Sequence, residues 1–237
     1  MSIQPAFSEF SEGFNDGKSQ ILWTTLVADL ETPVSAMMKL AEGKANSFLL
    51  ESVEGGAVRG RYSIIGMKPD LIWRCDGKQA RINRTARFDP EAFVACDKPV
   101  LDSLQALIDE SHIDLPSHLP PMAAGLVGYM SYDTVRLMED IPDSNPNDLG
   151  VPDGMFIRPT VMAIFDSILD VVTIVTPVWI GDGRSAQIAY NHAAERLTDA
   201  VNDFSRSLPH TVSMDMAELE MQEPVSNTSQ AEFFEMV

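Results

Sequence analysis

The sequence predicts an α+β fold, a mostly antiparallel β-sheet lobe with packed helices. Three observations carry that expectation. Short β-rich apolar runs recur between clusters of glycine, proline, asparagine and aspartate, the residues that set turns. A few longer stretches place apolar residues at helical spacing. And 45% of the 237 residues are apolar and 8% aromatic, enough to bury a substantial core in one large domain or two small ones.

Taken in order, residues 20–29 read as a strand and 33–42 as a helix, with Thr32 as N-cap and Pro33 in the first helical position. The run Phe48-Leu49-Leu50-Glu51-Ser52 and the run Gly60-Arg61-Tyr62-Ser63-Ile64-Ile65-Gly66 read as two strands joined through the glycine pair Gly55-Gly56. Residues 70–75 form the next strand, Asp76-Gly77 a tight hairpin turn, and 78–83 the returning strand. Residues 99–110 carry Leu101, Leu104, Leu107 and Ile108 at helical spacing, so Asp102, Asp109 and Glu110 fall on the wet face. The apolar stretch 122–131 contains Gly125 and Gly128, and a glycine inside a strand marks a bulge or a close backbone approach. No Gly-Lys-Ser/Thr follows, which rejects a phosphate loop. Residues 142–153 are a proline- and asparagine-rich loop, 156–166 and 169–178 two long strands, and Gly181-Asp182-Gly183 a turn. A long helix over 185–205 sets Ile188, His192, Leu197, Val201 and Phe204 near one side; His192 has no partner motif and reads as a packed or surface residue.

Charge excludes several functions. Seventeen basic against thirty-five acidic residues give a net charge of -18, which repels phosphate backbones and anionic membranes. No run approaches the roughly 20 apolar residues of a membrane span, and the start lacks a signal-peptide pattern, so a cytoplasmic location is expected. Cys75 and Cys96 are too few for a disulfide framework or a metal site and are expected to be reduced. Eight cations lie between Arg59 and Arg87 and, Arg61 apart, read as a solvated strand edge, where positive charge discourages sheet-to-sheet aggregation.

One stretch looks built for a ligand. Alternation places Phe48, Leu50 and Ser52 on one face of their strand and Leu49 and Glu51 on the other; on the next strand Arg61, Ser63 and Ile65 share a face opposite Tyr62 and Ile64. An amino-acid ligand needs an anion for its ammonium, a cation or donors for its carboxylate and an apolar wall. Glu51, Arg61 with Ser63, and Leu50 with Ile64 have those chemistries. The alternative reading of the same residues is a half-buried hairpin with its charges in water.

The string Leu-Leu-Glu-Ser at 49–52, followed by Gly-Arg-Tyr-Ser-Ile-Ile-Gly at 60–66, resembles the amino-terminal signature of anthranilate synthase component I, a chorismate-utilising family. The phrase Gly125-Leu126-Val127-Gly128-Tyr129-Met130-Ser131-Tyr132-Asp133, continuing to Arg136 and Glu139, resembles a second block of the same family in the same order. The resemblance implies that Leu50, Glu51 and Ser52, with Arg61 and Ser63, belong to an allosteric pocket for L-tryptophan. It also implies an enzyme that converts chorismate and ammonia to anthranilate and pyruvate with Mg2+, served by a glutamine amidotransferase subunit. The related aminodeoxychorismate synthase of folate biosynthesis and a non-catalytic amino-acid-binding module are the alternatives.

From residue 208 onward six carboxylates occur without one lysine or arginine, and periodicity is lost up to 226. Ser229-Gln230-Ala231-Glu232 then forms a capping box ahead of Phe233, Phe234 and Met236. A helix of about nine residues is marginal alone. The expected organisation is therefore a regulatory domain over 1–207, an acidic linker over 208–226 and, by resemblance, the start of a catalytic domain over 227–237. On that reading the family's catalytic residues and magnesium ligands lie outside the chain, and none is assigned within it.

Overall fold

The computed structural model describes residues 2–41, 43–54, 58–120, 122–142, 149–181, 183–208 and 226–236. Most of the expected linker, Gly55-Gly56, part of the 142–153 loop, Asp182 and the last residue lie outside these. Two five-stranded antiparallel sheets form the frame. Sheet A has the order β1 (Gln20–Val27), β10 (Val171–Val178), β9 (Val161–Asp166), β3 (Val58–Met67), β2 (Phe48–Glu54). Sheet B has the order β6 (Val94–Ala95), β5 (Gln79–Asn83), β4 (Leu71–Asp76), β8 (Gly154–Arg158), β7 (Val127–Met130). Helices α1 (Phe7–Asn15), α2 (Pro33–Ala41) and α4 (Ala186–Phe204) cover one face of sheet A, and α3 (Val100–Glu110) packs on sheet B. The α+β class and antiparallel pairing follow the sequence reading.

Sheet A is buried on both faces at its centre. Its helix side packs Phe10, Leu22, Leu40, Ile65, Phe165, Ile174, Leu197 and Phe204. Its other side packs Ile21, Ile64, Met162, Ile164 and Val175 against Leu119 and Ala123. For this reason β9 and β10 are buried almost without a break rather than at alternate residues. Sheet B and α3 enclose Leu71, Trp73, Cys75, Val100, Leu104 and Leu107, with the Trp73 indole N–H donating to Ser103 Oγ at 3.0 Å.

The chain crosses between the sheets twice, side by side, and the crossings hold each other. Asp70 N–H donates to the Arg158 carbonyl at 3.2 Å, and Thr160 Oγ1 donates to the Lys68 carbonyl at 2.6 Å. Arg158, 7% exposed, places Nε and Nη2 on the Asp70 carboxylate at 2.9 Å each, reaches Glu110 at 3.3 Å and lies 4.2 Å from the Trp179 ring centroid. A buried guanidinium demands paired carboxylates and a face to stack on, and this one has both.

Several expectations are corrected. The single strand over 156–166 is two strands in different sheets, β8 and β9. Pro159 stands at the break, having no N–H to donate to a ladder. Helix α1 was not expected; Phe7, Phe10 and Phe14 at steps of three and four are its signal, with Phe10 fully buried against Phe14 and Tyr190. On α3 the inward residues are Val100, Ser103, Leu104 and Leu107, while Leu101 and Ile108 face out. On α4 alanines 186, 189, 193 and 200 do the packing with Leu197 and Phe204, and Ile188 is exposed, because a helix lying close on a sheet needs small residues at the contact. The turn after β4 consists of Gly77 and Lys78, since Asp76 pairs with Gln79. The stretch 122–131 shortens to β7. The eight-cation window is only partly solvated: Lys78, Arg81 and Arg87 are exposed, whereas Arg61, Lys68 and Arg84 sit opposite carboxylates and Arg74 lies 3.9 Å from the Phe93 ring centroid.

Other signals read true. Thr32 and Ser35 exchange backbone-to-side-chain hydrogen bonds at the start of α2, and the helix expected from 185 begins one residue later, with Ser185 as its cap. A Cβ on Gly128 would lie 1.9 Å from the Met155 carbonyl oxygen, which is the close backbone approach its place in a strand suggested. Helix α5 (Gln230–Met236) begins with the reciprocal pair: Ser229 N–H donates to Glu232 Oε2 at 2.8 Å and Glu232 N–H to Ser229 Oγ at 3.3 Å. Cys75 and Cys96 are both free thiols, and burial pushes Cys75 up to about 11.

Candidate functional site

The ligand-like residues lie on the β2–β3 hairpin at one edge of sheet A. Among the described residues strand β2 pairs only with β3, so none of them closes its outer backbone edge. The register sets Leu50 opposite Ile64 and Glu51 opposite Ser63, and it shifts between Glu51 and Val53, leaving Ser52 at the irregularity. Leu50 is 44% exposed, and Glu51 and Ser52 face solvent. Gly60 stands beneath Ser52: a Cβ there would lie 1.5 Å from Ser52 Oγ and 2.8 Å from its carbonyl carbon. Only glycine lets the serine fold back over β3 at this point.

Register divides the proposed set of groups. Residues paired across antiparallel strands share a face, so Leu50 and Ile64 lie on one side and Glu51, Ser63 and Arg61 on the other. The apolar wall and the charged groups therefore do not converge within the hairpin. Arg61 is also committed elsewhere. Its Nε donates to Asp166 Oδ1 and Oδ2 at 3.0 and 3.1 Å and its Nη2 to Oδ2 at 2.7 Å, a forked pair typical of guanidinium and carboxylate. Asp166, at the end of β9 and 6% exposed, further accepts the N–H groups of Ile168 and Leu169 at 3.0 and 3.3 Å. The hydrogen bonds from Arg61, helped by those backbone donors and opposed by burial, hold its carboxyl below the usual carboxylate range.

Asp166 is the residue that sequence reading missed. It closes the apolar run Val161–Phe165 and stands opposite Tyr62 in the register; an acid ending a buried strand is its one signal. Its effect is to tie the hairpin to the sheet centre while Leu50, Glu51 and Ser52 stay uncovered. Among the described residues no three His, Cys, Asp or Glu side chains gather as a metal cage. The magnesium implied by resemblance has no donor set among the described residues. No described helix is long and apolar enough to cross a membrane.

A search of family profiles gives no match. Individual relatives do match. Anthranilate synthase component 1 of Cereibacter sphaeroides is 52% identical over 204 residues, which are 86% of this chain and 41% of that protein. The chain is homologous to anthranilate synthase component 1. Proteins of the same name from Thermus thermophilus and Synechocystis are 41% and 32% identical over 157 and 244 residues, covering 65% and 99% of this chain but 31% and 47% of those proteins. The chain thus spans less than half the length of the anthranilate synthase component 1 relatives it matches. A crystal structure of anthranilate synthase component I from Streptococcus pneumoniae superposes with a TM-score of 0.48 at 19% identity, over 78% of this chain and 37% of that one.

Proposed function

We propose that these 237 residues form the feedback-regulatory, L-tryptophan-binding part of an anthranilate synthase component I. The observation that carries the reading is the 52% identity to a protein of that name, joined to an edge strand whose Leu50, Glu51 and Ser52 are presented and uncovered. On this reading the whole enzyme is a cytoplasmic lyase of tryptophan biosynthesis. It adds ammonia to chorismate, with Mg2+ assistance, and eliminates pyruvate to leave anthranilate, the ammonia coming from a glutamine amidotransferase subunit. The catalytic groups and the metal ligands belong to the part of the relatives that this chain does not cover, and the 237 residues alone turn over no chorismate.

The hairpin supplies half of a pocket. Leu50, beside the buried Ile64, offers an apolar surface on one face of β2–β3, and the Ser52 hydroxyl and Glu51 carboxylate stand at the open edge for a second lobe to complete. Arg61 acts through Asp166 as a strut that fixes the strand, rather than as a direct ligand for a carboxylate. Tryptophan bound across such an edge favours one arrangement of the two lobes, with a coupling of about 1 to 3 kcal/mol.

The test uses the complete enzyme with its amidotransferase. Ser52→Arg fills the space over Gly60 and should raise the tryptophan concentration for half inhibition by at least about tenfold, the range of one such coupling, with uninhibited kcat near normal. Inhibition unchanged by that substitution sinks the pocket assignment. Product analysis on chorismate separates anthranilate from aminodeoxychorismate, and the latter would move the chain to the folate branch.

A further inference from the structure

The groups that register divides on the hairpin are found together at the opposite edge of sheet A. A cavity of about 240 Å3 opens beside β1, lined among others by Glu9, Lys18, Ile21, Trp23, Asp114 and Pro116. Four segments bring them there: the first turn of α1, the turn before β1, β1 itself and the loop after α3. The edge of β1 is partly closed by Gln4, which exchanges backbone hydrogen bonds with Trp23 at 2.9 and 2.8 Å and so fixes the indole-bearing residue.

Three features point to a ligand. The charged groups are available: among the described residues the side chains of Glu9 and Lys18 make no hydrogen bond or ion pair, and Asp114 contacts only the exposed His112, at 3.2 Å. Trp73 and Trp179 give their indole N–H groups to Ser103 and Ser111. That of Trp23 has no such acceptor among the described residues, and its ring rests 5.1 Å from His118. Finally, charges of both signs stand round apolar walls. Two carboxylates alone would suit a cation, but an added ammonium and an indole wall suit a molecule carrying a cation, an anion and an apolar body. The volume is below the roughly 300 Å3 where pockets for drug-sized ligands begin, which limits the occupant to about the size of an amino acid.

We propose that this cavity binds a free α-amino acid: Lys18 takes its carboxylate, Glu9 and Asp114 its ammonium, and Ile21, Trp23 and Pro116 an apolar or aromatic side chain. The site shares no residue with the hairpin and lies four strand spacings away, about 19 Å. It is complete within this chain and does not depend on the hairpin's assignment.

Calorimetric titration of the 237-residue chain with L-phenylalanine, hydrocinnamate and phenethylamine tests it. The last two probes lack the ammonium and the carboxylate respectively. Saturable binding of L-phenylalanine is expected, with each truncated probe weaker by about tenfold or more. Lys18→Gln and the pair Glu9→Gln with Asp114→Asn should each weaken L-phenylalanine by a similar factor without changing the circular dichroism spectrum, since all three side chains are exposed. Ser52→Ala should leave it unchanged. Absence of saturable heat up to about 10 mM, well above a millimolar Kd, overturns the proposal. So does equal affinity for the three probes, or binding that Ser52→Ala removes and Lys18→Gln does not. Loss of tryptophan inhibition in the complete Ser52→Arg enzyme bears on the hairpin alone, so the two readings fail separately.

Discussion

The two edges of sheet A solve the edge problem in different ways. At β1 the chain covers its own strand: Gln4 pairs with Trp23, α1 lies alongside, and the remaining space is a small lined cavity. At β2 nothing among the described residues pairs with the outer edge, and Leu50, Glu51 and Ser52 are exposed. An open strand edge is a template for further pairing, and proteins ordinarily charge, cover or shorten it. The lesson is that completeness differs: the β1 edge gathers every group a small zwitterion requires, whereas the β2 edge has its polar and apolar groups on opposite faces and needs a second surface to make a pocket.

The largest test of this difference is Gly60→Val. With the new Cβ overlapping Ser52 Oγ and pressing its backbone, β2 must separate from β3, and we expect a loss of about 2 to 3 kcal/mol by urea unfolding, in the range of overpacked positions. A loss below about 0.5 kcal/mol, the scatter of surface substitutions, would mean that the hairpin is not held as described.

Asp166→Asn comes next. It removes the negative charge and one of the two oxygens that hold Arg61, leaving a single amide oxygen for the two backbone N–H groups, and should cost about 1 to 3 kcal/mol at pH 7. The pH dependence has a definite sign. A carboxyl held below its usual value stabilises the fold fully above the unfolded pKa of about 3.9, and that contribution is lost as pH falls through the lower folded value. The gap between wild type and Asp166→Asn, measured by urea unfolding, should therefore be constant from pH 7 to 5 and shrink below about pH 4. A gap that widens in acid contradicts the strut.

Thiol labelling gives a smaller and more local check. With burial raising its thiol to about 11, Cys75 in β4 should resist iodoacetamide at pH 8 in the folded chain, while Cys96, half-buried, reacts first. Equal labelling of both would show that sheet B opens as readily as its rim.

The smallest expected effect lies at the β1 edge. Glu9→Gln combined with Lys18→Gln should alter unfolding free energy by no more than about 0.5 kcal/mol, because neither side chain has a partner to lose among the described residues. A larger loss would turn these charges into structural ones and weaken the contrast between the edges.

Much of the fold was legible because local rules suffice for it. Thr32 before Pro33 and Ser229 with Glu232 each announced a helix start through their own hydrogen bonds. The strands β1 to β5 were visible as β-rich runs between turn residues. What failed was assignment across distance. The break at Pro159 was hidden inside a run apolar on both sides, because β8 and β9 are each half of a buried surface in different sheets. The inward faces of α3 and α4 were misjudged by weighting leucine and isoleucine over alanine, although contact with a sheet favours the smaller side chain. At the site, alternation gave the right face for each strand separately, and the pocket chemistry was nevertheless combined across both faces.

The sequence by itself determined the class of fold, the caps, the relationship carried by the 49–66 and 125–139 blocks, and the net charge of -18. These depend on neighbours in the chain or on summed charge, which are present in the linear order. Only the tertiary structure decided that Arg61 is spent on Asp166, 105 positions away, that Leu50 and Glu51 stand on opposite sides of an open edge, and that Glu9, Lys18, Trp23 and Asp114 meet round one cavity. Each of these follows from strand order and register, which close contacts between residues far apart in sequence and so leave no local trace.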